Sequence, residues 1–190
     1  MAAAHGGGRR ALFLDRDGVV NEDTGYLHRI DECRFVDGIF ALAAGFAARG
    51  FAIVIATNQS GIGRGYFSEA DFAALMDWMR GEFRRRGVEL AAIYHCPDHP
   101  TAGQGAYRRD NPWRKPGPGM MLKGAADLAL DLGACWSIGD RPGDAEAARA
   151  AGIGTIVHYD PHAAAARRQG DLWVVPRLDD VLALLAAAEG

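Results

Sequence analysis

Short apolar runs of strand length alternate with longer helical stretches along the whole chain, and this alternation limits the possible folds more than any other feature. The predicted strands cover residues 11–14, 51–56, 90–94, 135–138 and 155–158, and the predicted helices cover 40–49, 68–86, 119–132, 144–151 and a segment after Pro176. Strands and helices in this order form βαβ units, which build a parallel sheet with helices on both faces. The sequence therefore predicts an α/β fold with a doubly wound, mostly parallel sheet.

No internal repeat or linker divides the chain, so we expect one domain over residues 10–190, preceded by a flexible tail at residues 1–9. The 190 residues are 49 % hydrophobic and carry a net charge of −3, which suits a single globular core. A general nucleic-acid binder needs clustered positive charge, which this balance does not indicate. A small anionic ligand, in contrast, needs only a few local donors.

The sequence gives no sign of export. Its cysteines, Cys33, Cys96 and Cys135, are odd in number and widely spaced, which is not typical of a disulfide framework. The N-terminus lacks the apolar segment of a signal peptide, and no run reaches the roughly 18 apolar residues of a membrane-spanning helix. We therefore expect a cytoplasmic monomer with no membrane or nucleic-acid partner.

Polar residues follow the predicted strands where each strand ends, which is where open α/β sheets bind their ligands. Asp15 and Asp17 follow the first strand, and a turn at Gly18 can point both carboxylates to one place above the sheet. An isolated pair of this kind can equally cap a turn. After the second strand, Thr57 precedes the run 58–60 and three glycines. This segment suits a phosphoryl group, but a Gly-rich turn with a capping threonine explains it as well.

Two further clusters belong to the same predicted edge of the sheet. Arg114 and Lys115 stand just before a predicted helix, whose N-terminal amides also favour anions; a solvated basic pair is the alternative. Asp140 follows the strand at 135–138 and can complete a Mg²⁺ site with the two carboxylates after the first strand. Asp144 begins the next helix. It either caps that helix or orients the metal ligands without binding the metal itself.

The four clusters complement one another chemically and fall at strand ends or helix starts. A hydroxyl, a lysine and three carboxylates at one sheet edge can bind a divalent cation and a phosphoryl group together. Four unrelated structural explanations would have to coincide to produce the same pattern. The sequence therefore predicts one site for phosphoryl transfer.

With these motifs in view, the chain resembles the haloacid dehalogenase (HAD) superfamily of aspartate-nucleophile phosphatases over residues 11–188. Asp15-x-Asp17 is similar to the first motif of that superfamily, Thr57 to the second, Lys115 to the third, and Gly139-Asp140-x-x-x-Asp144 to the fourth. The segments 13–21, 57–62, 96–100 and 114–120 resemble the subgroup of heptose 1,7-bisphosphate 7-phosphatases and histidinol-phosphate phosphatases.

This resemblance implies a Mg²⁺-dependent phosphomonoesterase with a Rossmann-like HAD core and no or minimal cap. The roughly thirty residues between the first cluster and the second strand are also too few for a folded lid domain. The implied reaction removes the 7-phosphate of D-glycero-D-manno-heptose 1,7-bisphosphate, in the synthesis of heptose precursors of lipopolysaccharide. Histidinol phosphate or another small phosphorylated metabolite is the alternative substrate.

The resemblance also implies roles for individual residues. Asp15 would attack phosphorus and form an aspartyl-phosphate, and Asp17 would protonate the leaving oxygen and then activate water. Mg²⁺ would be held by the carboxylates of Asp15 and Asp140 and by the backbone carbonyl of Asp17. Thr57 and Lys115 would hold the phosphoryl oxygens. The implied substrate-binding residues are Asp23, Thr24, Gly25, Tyr26, Asn58, Gln59, Ser60, Arg114 and Arg141, with Arg64 and Trp113 as further walls of the mouth.

The loop at 96–118 departs from the subgroup, whose members often hold a structural zinc through Cys-x-His followed by Cys-x-Cys. Here the first pair reads Cys96-Pro97-Asp98 and the second reads Asn111-Pro112-Trp113, so three of the four ligand positions are lost. His95, Cys96 and His99 alone would leave a tetrahedral site incomplete. We therefore expect no zinc, and histidinol phosphate or another phosphomonoester gains weight as the substrate.

Three other functions share part of this pattern. A polynucleotide 3′-phosphatase has similar motifs, but the charge balance and the lack of a Walker-type kinase loop count against it. A non-enzymatic phosphoacceptor domain of receiver type has no acid/base carboxylate two residues after its acceptor, so Asp17 distinguishes the two. A non-catalytic interaction protein would have no physical need to retain all five residues of the predicted catalytic set.

Overall fold

A seven-stranded sheet forms the centre of the computed structural model, which describes residues 8–189. The strands are β1 (Arg10–Leu14), β2 (Phe51–Asn58), β3 (Leu90–Cys96), β4 (Trp136–Gly139), β5 (Thr155–Tyr159), β6 (Arg167–Gln169) and β7 (Leu172–Val175). Their order is β3-β2-β1-β4-β5-β7-β6, and all neighbours are parallel except β6 and β7, which are antiparallel. This architecture confirms the predicted doubly wound, mostly parallel α/β sheet.

The α-helices are α1 (Ile39–Ala47), α2 (Ser60–Gly63), α3 (Glu69–Arg85), α4 (Gly119–Leu128), α5 (Pro142–Ala151) and α6 (Leu178–Glu189). Local sequence explains several of their ends. Ser68 caps α3, because its hydroxyl accepts a hydrogen bond from the amide of Asp71 while the Asp71 carboxylate accepts one from the amide of Ser68. Gly152 follows α5 with a φ of 83°, a left-handed conformation that favours glycine.

Two apolar layers enclose the sheet, and β1 contributes to both. Leu12 and Leu14 belong to the larger layer, with residues from α1, α3 and α6. Ala11 and Phe13 belong to the other layer, with residues from α4 and α5. Successive side chains of a strand point to opposite faces, so a strand covered on both faces must be apolar throughout. This explains why residues 11–14 form a continuous apolar run.

Three elements differ from the sequence prediction. The helix predicted at 119–132 ends at Leu128, where Ala129 adopts a left-handed φ of 53°, and a 3₁₀ turn at Leu132–Ala134 follows. The hairpin of β6 and β7 was not predicted. The exposed β6 has no apolar alternation, whereas the apolar run of β7 is a strand signal that the prediction missed. Part of the segment predicted as a Gly-rich loop after β2 forms the short helix α2.

The connections at the carboxyl edge of the sheet stay small. Between β1 and α1 the chain forms a single 3₁₀ turn, Ile30–Glu32, and the long loop after β3 forms another at Gly105–Tyr107. The fold therefore has the expected core with no or minimal cap.

The expected tail at residues 1–9 lies outside the described residues except for its last two positions. Of these, Arg9 donates its amide to the carbonyl of Ala129 at 3.3 Å and accepts a hydrogen bond from the amide of Asp131 at 3.0 Å. Within residues 8–189, every helix is too short or too polar to cross a membrane.

Candidate active site

A cavity of about 430 Å³ lies at the carboxyl ends of β1 and β2, a size that suits a small metabolite. It is lined by Asp15, Asp17, Asp23, Gly25, Tyr26, Thr57, Asn58, Gln59, Ser60, Gly61, Arg64, Arg114, Lys115, Arg141 and Asp144. Most of the site residues predicted from the sequence therefore meet in one place. Thr24 is not part of this lining; it lines a smaller depression of about 170 Å³ that shares Gly25 and Tyr26 with the cavity.

Lys115 is a buried cation that lines this site. Its ammonium lies 2.8 Å from Asp15 Oδ1 and 2.6 Å from Asp144 Oδ1, and it donates a hydrogen bond to the carbonyl oxygen of Ala56 at 2.9 Å. Burial disfavours the charged ammonium, but the two carboxylates outweigh burial and raise the pKa of Lys115. Lys115 is therefore a fixed positive charge between β1, β2 and α5.

Asp15, Asp140 and Asp144 each bring one carboxylate oxygen to within 4.8 Å of the others. Burial raises the pKa of Asp15 to about 6; the charge of Lys115 opposes this rise, and that of Asp144 adds to it. Burial, together with the charges of Asp15 and Asp144, raises the pKa of Asp140 to about 7. Three carboxylates this close together attract a further positive charge.

The same three carboxylates fit a hard divalent cation. Mg²⁺ prefers oxygen ligands and binds through one or two carboxylates together with water and substrate phosphate. Asp140 Oδ1 is buried and has no hydrogen-bond partner among the described residues. Gly18, with a φ of 90°, leaves the space that Asp140 occupies, since a Cβ there would lie 2.2 Å from Asp140 Oδ2. The donor set therefore suits Mg²⁺.

Asp144 links α5 to the lysine. Its Oδ2 accepts a hydrogen bond from the amide of Arg141 at 2.9 Å, while its Oδ1 pairs with Lys115. Arg141, not Asp144, is the N-cap residue, and Asp144 closes the first turn from the third helical position. The two roles considered from the sequence, helix capping and support of the site, are thus performed by different oxygens of one carboxylate.

Three side chains hold the Asp17 carboxylate. The fully buried Arg16 donates from Nη2 to both Asp17 oxygens at 2.8 Å. Asn21 Nδ2 donates to Oδ1 at 3.0 Å, and Gln59 Nε2 donates to Oδ2 at 2.9 Å. Gln59 Nε2 also donates to Thr57 Oγ1 at 2.9 Å. This carboxylate therefore has one defined orientation, and it lies outside the cluster formed by Asp15, Asp140 and Asp144.

Asn58 fixes the backbone of Lys115. Its Nδ2 donates to the Lys115 carbonyl at 3.0 Å, and its Oδ1 accepts from the Lys115 amide at 3.0 Å. Asn58 and Gln59 were expected to bind substrate, and both line the cavity. Their side-chain hydrogen bonds go to protein groups, however, which indicates a positioning role that the sequence pattern did not predict.

Arginines and one tyrosine surround the mouth of the cavity. Arg141 Nη2 donates to Asp23 Oδ2 at 2.5 Å, which ties two predicted substrate-binding residues together. The guanidinium of Arg64 lies 5.8 Å from the centre of the exposed Tyr26 ring. Arg114 is half-buried, and burial lowers its pKa from the ordinary value. The mouth is therefore cationic and partly aromatic, although the chain as a whole is slightly acidic.

The residues of the long loop do not fit a structural zinc. His95 Nε2 pairs with Glu69 Oε2 at 2.9 Å, and His99 Nδ1 accepts from the amide of Ala102 at 3.1 Å. Cys96 packs in an apolar layer of the core. Between residues 8 and 189, the three carboxylates described above form the only group of three potential metal ligands.

The sequence pattern assigned no role to Arg16 or Asn21 and marked Asp98 only as a lost zinc-ligand position, although all three are fully buried. Charged and amide side chains are rarely buried without a partner, so each has a structural task. For Arg16 a signal was present, since an arginine between two carboxylates directly after a strand can pair with either of them. The partners of Asp98 come from a distant part of the long loop and leave no such local signal.

Comparison with known proteins agrees with this site. Residues 112–181 match the HAD-hydrolase-like family. The chain is 50 % identical over 148 residues to the D-glycero-alpha-D-manno-heptose-1,7-bisphosphate 7-phosphatase of Burkholderia mallei. The aligned residues make up 78 % of this chain and 78 % of the relative. It is 41 % identical over 174 residues to the D-glycero-beta-D-manno-heptose-1,7-bisphosphate 7-phosphatase of Salmonella typhi, covering 90 % of this chain and 92 % of the relative.

A solved structure has the same fold. It is the D,D-heptose 1,7-bisphosphate phosphatase from B. bronchiseptica complexed with magnesium and phosphate, with a TM-score of 0.79 and 29 % sequence identity. The match covers 94 % of this chain and 99 % of that chain.

Proposed function

This chain belongs to the HAD family of D-glycero-D-manno-heptose-1,7-bisphosphate 7-phosphatases, and we propose that it removes the 7-phosphate of such a heptose bisphosphate. As a member of this family it is a phosphoric monoester hydrolase. The observation that carries the proposal is the buried contact of Lys115 with Asp15 and Asp144, beside Asp140 and open to a cavity of about 430 Å³.

Asp15 is the nucleophile in this proposal. It attacks phosphorus, the bond to the sugar oxygen breaks, and the resulting aspartyl-phosphate is then hydrolysed by water. Lys115, 2.8 Å from Asp15 Oδ1, favours the anionic form that attacks. Mg²⁺ held by Asp15 and Asp140 would supply positive charge that offsets the repulsion between an anionic nucleophile and an anionic phosphate. The backbone carbonyl of Asp17 is the further ligand implied by the family pattern.

Asp17 transfers the protons. It donates a proton to the leaving sugar oxygen and then accepts one from the attacking water, a role that is typically worth about 10²–10⁴-fold in rate. The hydrogen bonds from Arg16, Asn21 and Gln59 hold its carboxylate at the cavity wall before substrate binds. Such fixed orientation lowers the entropy lost when the reacting groups are brought together.

Thr57 and Lys115 bind the transferred phosphoryl group. The Thr57 side chain is buried at the end of β2, and the Lys115 ammonium approaches β2 through its hydrogen bond to Ala56. The fixed positive charge of Lys115 and the fixed hydroxyl of Thr57 stabilise the charge on the phosphoryl oxygens.

The cationic mouth supports a bisphosphate substrate. One phosphate would lie at Asp15, and a second anionic group would meet Arg64 and Arg114 at the wall of the cavity. The sugar hydroxyls would contact residues around Asp23 and Tyr26. The family resemblance also assigns a role in substrate binding to Thr24, Gly25, Ser60 and Arg141. The cytoplasm as the location and a monomeric state remain predictions from the sequence.

The experiment that tests the proposal is phosphate release, with and without Mg²⁺, from a substrate panel. The panel contains both anomers of D-glycero-D-manno-heptose 1,7-bisphosphate, fructose 1,6-bisphosphate, histidinol phosphate and an oligonucleotide with a 3′-phosphate. We expect the highest kcat/KM for one heptose anomer and no activity without the metal. Equally low activity on every substrate, or a preference for histidinol phosphate, would contradict the substrate assignment.

Stabilisation by Mg²⁺ should depend on pH. The pKa values of Asp15 and Asp140 in the folded chain, about 6 and about 7, lie above the ordinary 3.8. Ionisation of these groups therefore lowers the stability of the metal-free protein as pH rises from about 4 through 7, and bound metal relieves this loss. We expect saturating Mg²⁺ to raise Tm clearly at about pH 8 and little at about pH 5.

Thermal unfolding with and without Mg²⁺ measures this difference. The Asp140→Asn variant should lose most of the gain at the higher pH, because it lacks one carboxylate of the site. An equal rise in Tm at both pH values, or an undiminished rise in the variant, would show that Mg²⁺ acts elsewhere on the protein.

A further inference from the structure

Asp98, in the loop after β3, is a fully buried carboxylate outside the catalytic cluster. Its Oδ2 accepts hydrogen bonds from Arg109 Nε at 2.8 Å and from Asn111 Nδ2 at 2.5 Å. The Arg109 side chain is largely exposed, whereas Asp98 is fully enclosed. A buried carboxylate is costly unless it is paired and hydrogen-bonded, so these contacts decide how the loop folds.

Asn111 connects Asp98 to the segment that enters the active site. Its Oδ1 accepts from the amide of Trp113 at 2.9 Å, and its carbonyl accepts from the amide of Arg114 at 2.9 Å. The Arg114 side chain turns back, and its Nη1 donates to the carbonyl of Asp98 at 3.3 Å. These bonds close a ring of contacts through Asp98, Asn111 and Arg114, which we call the Asp98 clamp.

The clamp lies directly before the catalytic lysine. Arg114 lines the cavity, and the backbone of Lys115 is fixed separately by Asn58. Loss of the clamp should therefore displace Arg114 more than Lys115. In addition, His95, Cys96 and His99 have other contacts in this chain. Hydrogen bonds, not metal ligands, therefore hold the two parts of the loop together.

We propose that Asp98 is a positioning residue that acts through Asn111 to aim the Arg114 guanidinium at the phosphate of the substrate that is not hydrolysed. This inference rests on the proposed function for the identity of the substrate. In this proposal the Asp98 clamp, without a metal ion, orders the loop after β3 that contributes to substrate specificity. Its effect should therefore fall on substrate binding rather than on the chemical step.

The first test compares the kinetics of Asp98→Ala and Asn111→Ala on heptose 1,7-bisphosphate. We expect KM to rise about tenfold or more in both, as for the loss of a charged hydrogen bond, with kcat changed by less than about threefold. Kinetics on p-nitrophenyl phosphate, which has no second phosphate, should stay near the parent values. Asp110→Ala is the matched control, because it removes an exposed carboxylate from the same loop.

The second test shows whether Asp98 acts through Arg114. If it does, the double variant Asp98→Ala/Arg114→Ala should have the KM of Arg114→Ala alone, because the two effects share one interaction. Independent effects that multiply in the double variant would overturn the proposal. A fall in kcat on both substrates would also overturn it, since that result indicates damage to Lys115 or to the fold.

Hydrogen exchange gives a readout that does not depend on turnover. In the parent protein the amides of Trp113 and Arg114 should be protected, and in Asn111→Ala they should exchange faster while the core strands stay protected. This measurement tests the clamp even if the parent protein fails to hydrolyse heptose bisphosphate. Unchanged exchange at these amides, or one equivalent of tightly bound zinc in the purified protein, would refute it.

Discussion

Replacement of Asp15 by asparagine is expected to abolish turnover, with kcat falling at least about 10⁴-fold, the scale seen when an enzyme loses its nucleophile. Asp15 follows β1 directly, and its Oδ1 lies 2.8 Å from the Lys115 ammonium. Asparagine keeps the shape of the side chain but has no anionic oxygen to attack phosphorus. Phosphate release from heptose 1,7-bisphosphate and from p-nitrophenyl phosphate measures the loss.

The same variant should remain folded. Burial raises the pKa of Asp15 from 3.8 to about 6, so at about pH 8 its anionic form opposes folding of the metal-free protein by on the order of 3 kcal/mol. Removal of this charge relieves that cost but takes one partner from the buried Lys115, which keeps its contact with Asp144. The two effects oppose each other, so we expect the Tm without Mg²⁺ to stay close to that of the parent. The exposed Asp37→Asn variant is the control and should keep full activity. Substantial turnover by a folded Asp15→Asn variant would exclude Asp15 as the nucleophile.

The sheet could be predicted where burial leaves a pattern in the sequence. The apolar runs of β1 and β2 are long because both faces of these strands are covered. β6 has three exposed polar residues, so neither hydrophobic periodicity nor a continuous apolar run marks it. The end of α4 lacked a signal for a different reason, since an alanine, Ala129, takes the left-handed conformation that glycine usually adopts.

The residues of the candidate site could be predicted more fully than their contacts. Catalytic residue types at strand ends are visible in the sequence because the carboxyl edge of a parallel sheet brings them together. The hydrogen bonds from Gln59 to Asp17 and from Asn58 to Lys115 join residues 42 and 57 positions apart. Such pairings depend on how loops meet in three dimensions. The sequence therefore indicated which residues form the site. It assigned Asn58 and Gln59 to substrate binding, whereas their side-chain amides form hydrogen bonds with Lys115 and Asp17.

Replacement of Lys115 by methionine is expected to reduce both activity and stability. Methionine has a similar length but no charge, so Asp15 and Asp144 would face each other without the ammonium that now lies 2.8 and 2.6 Å from them. Removing one partner of a buried ion pair typically costs about 3–5 kcal/mol. The loss of a fixed donor to the transition state should lower kcat by about 10²–10³-fold. Denaturant unfolding and phosphate release measure the two effects.

The pH dependence of this loss distinguishes an electrostatic cause from a packing defect. Without the lysine, an ionised Asp15 faces Asp144 with no positive charge between them. The stability difference from the parent should therefore be larger at about pH 8 than at about pH 5, where protonation of Asp15 relieves the repulsion. A packing defect would cost the same at both pH values. Lys123→Met removes an exposed lysine that pairs with Asp127, and it should change stability by less than about 1 kcal/mol. If Lys115→Met is no less stable than this control, then Lys115 does not hold the two carboxylates together, and the electrostatic basis of the proposed site is wrong.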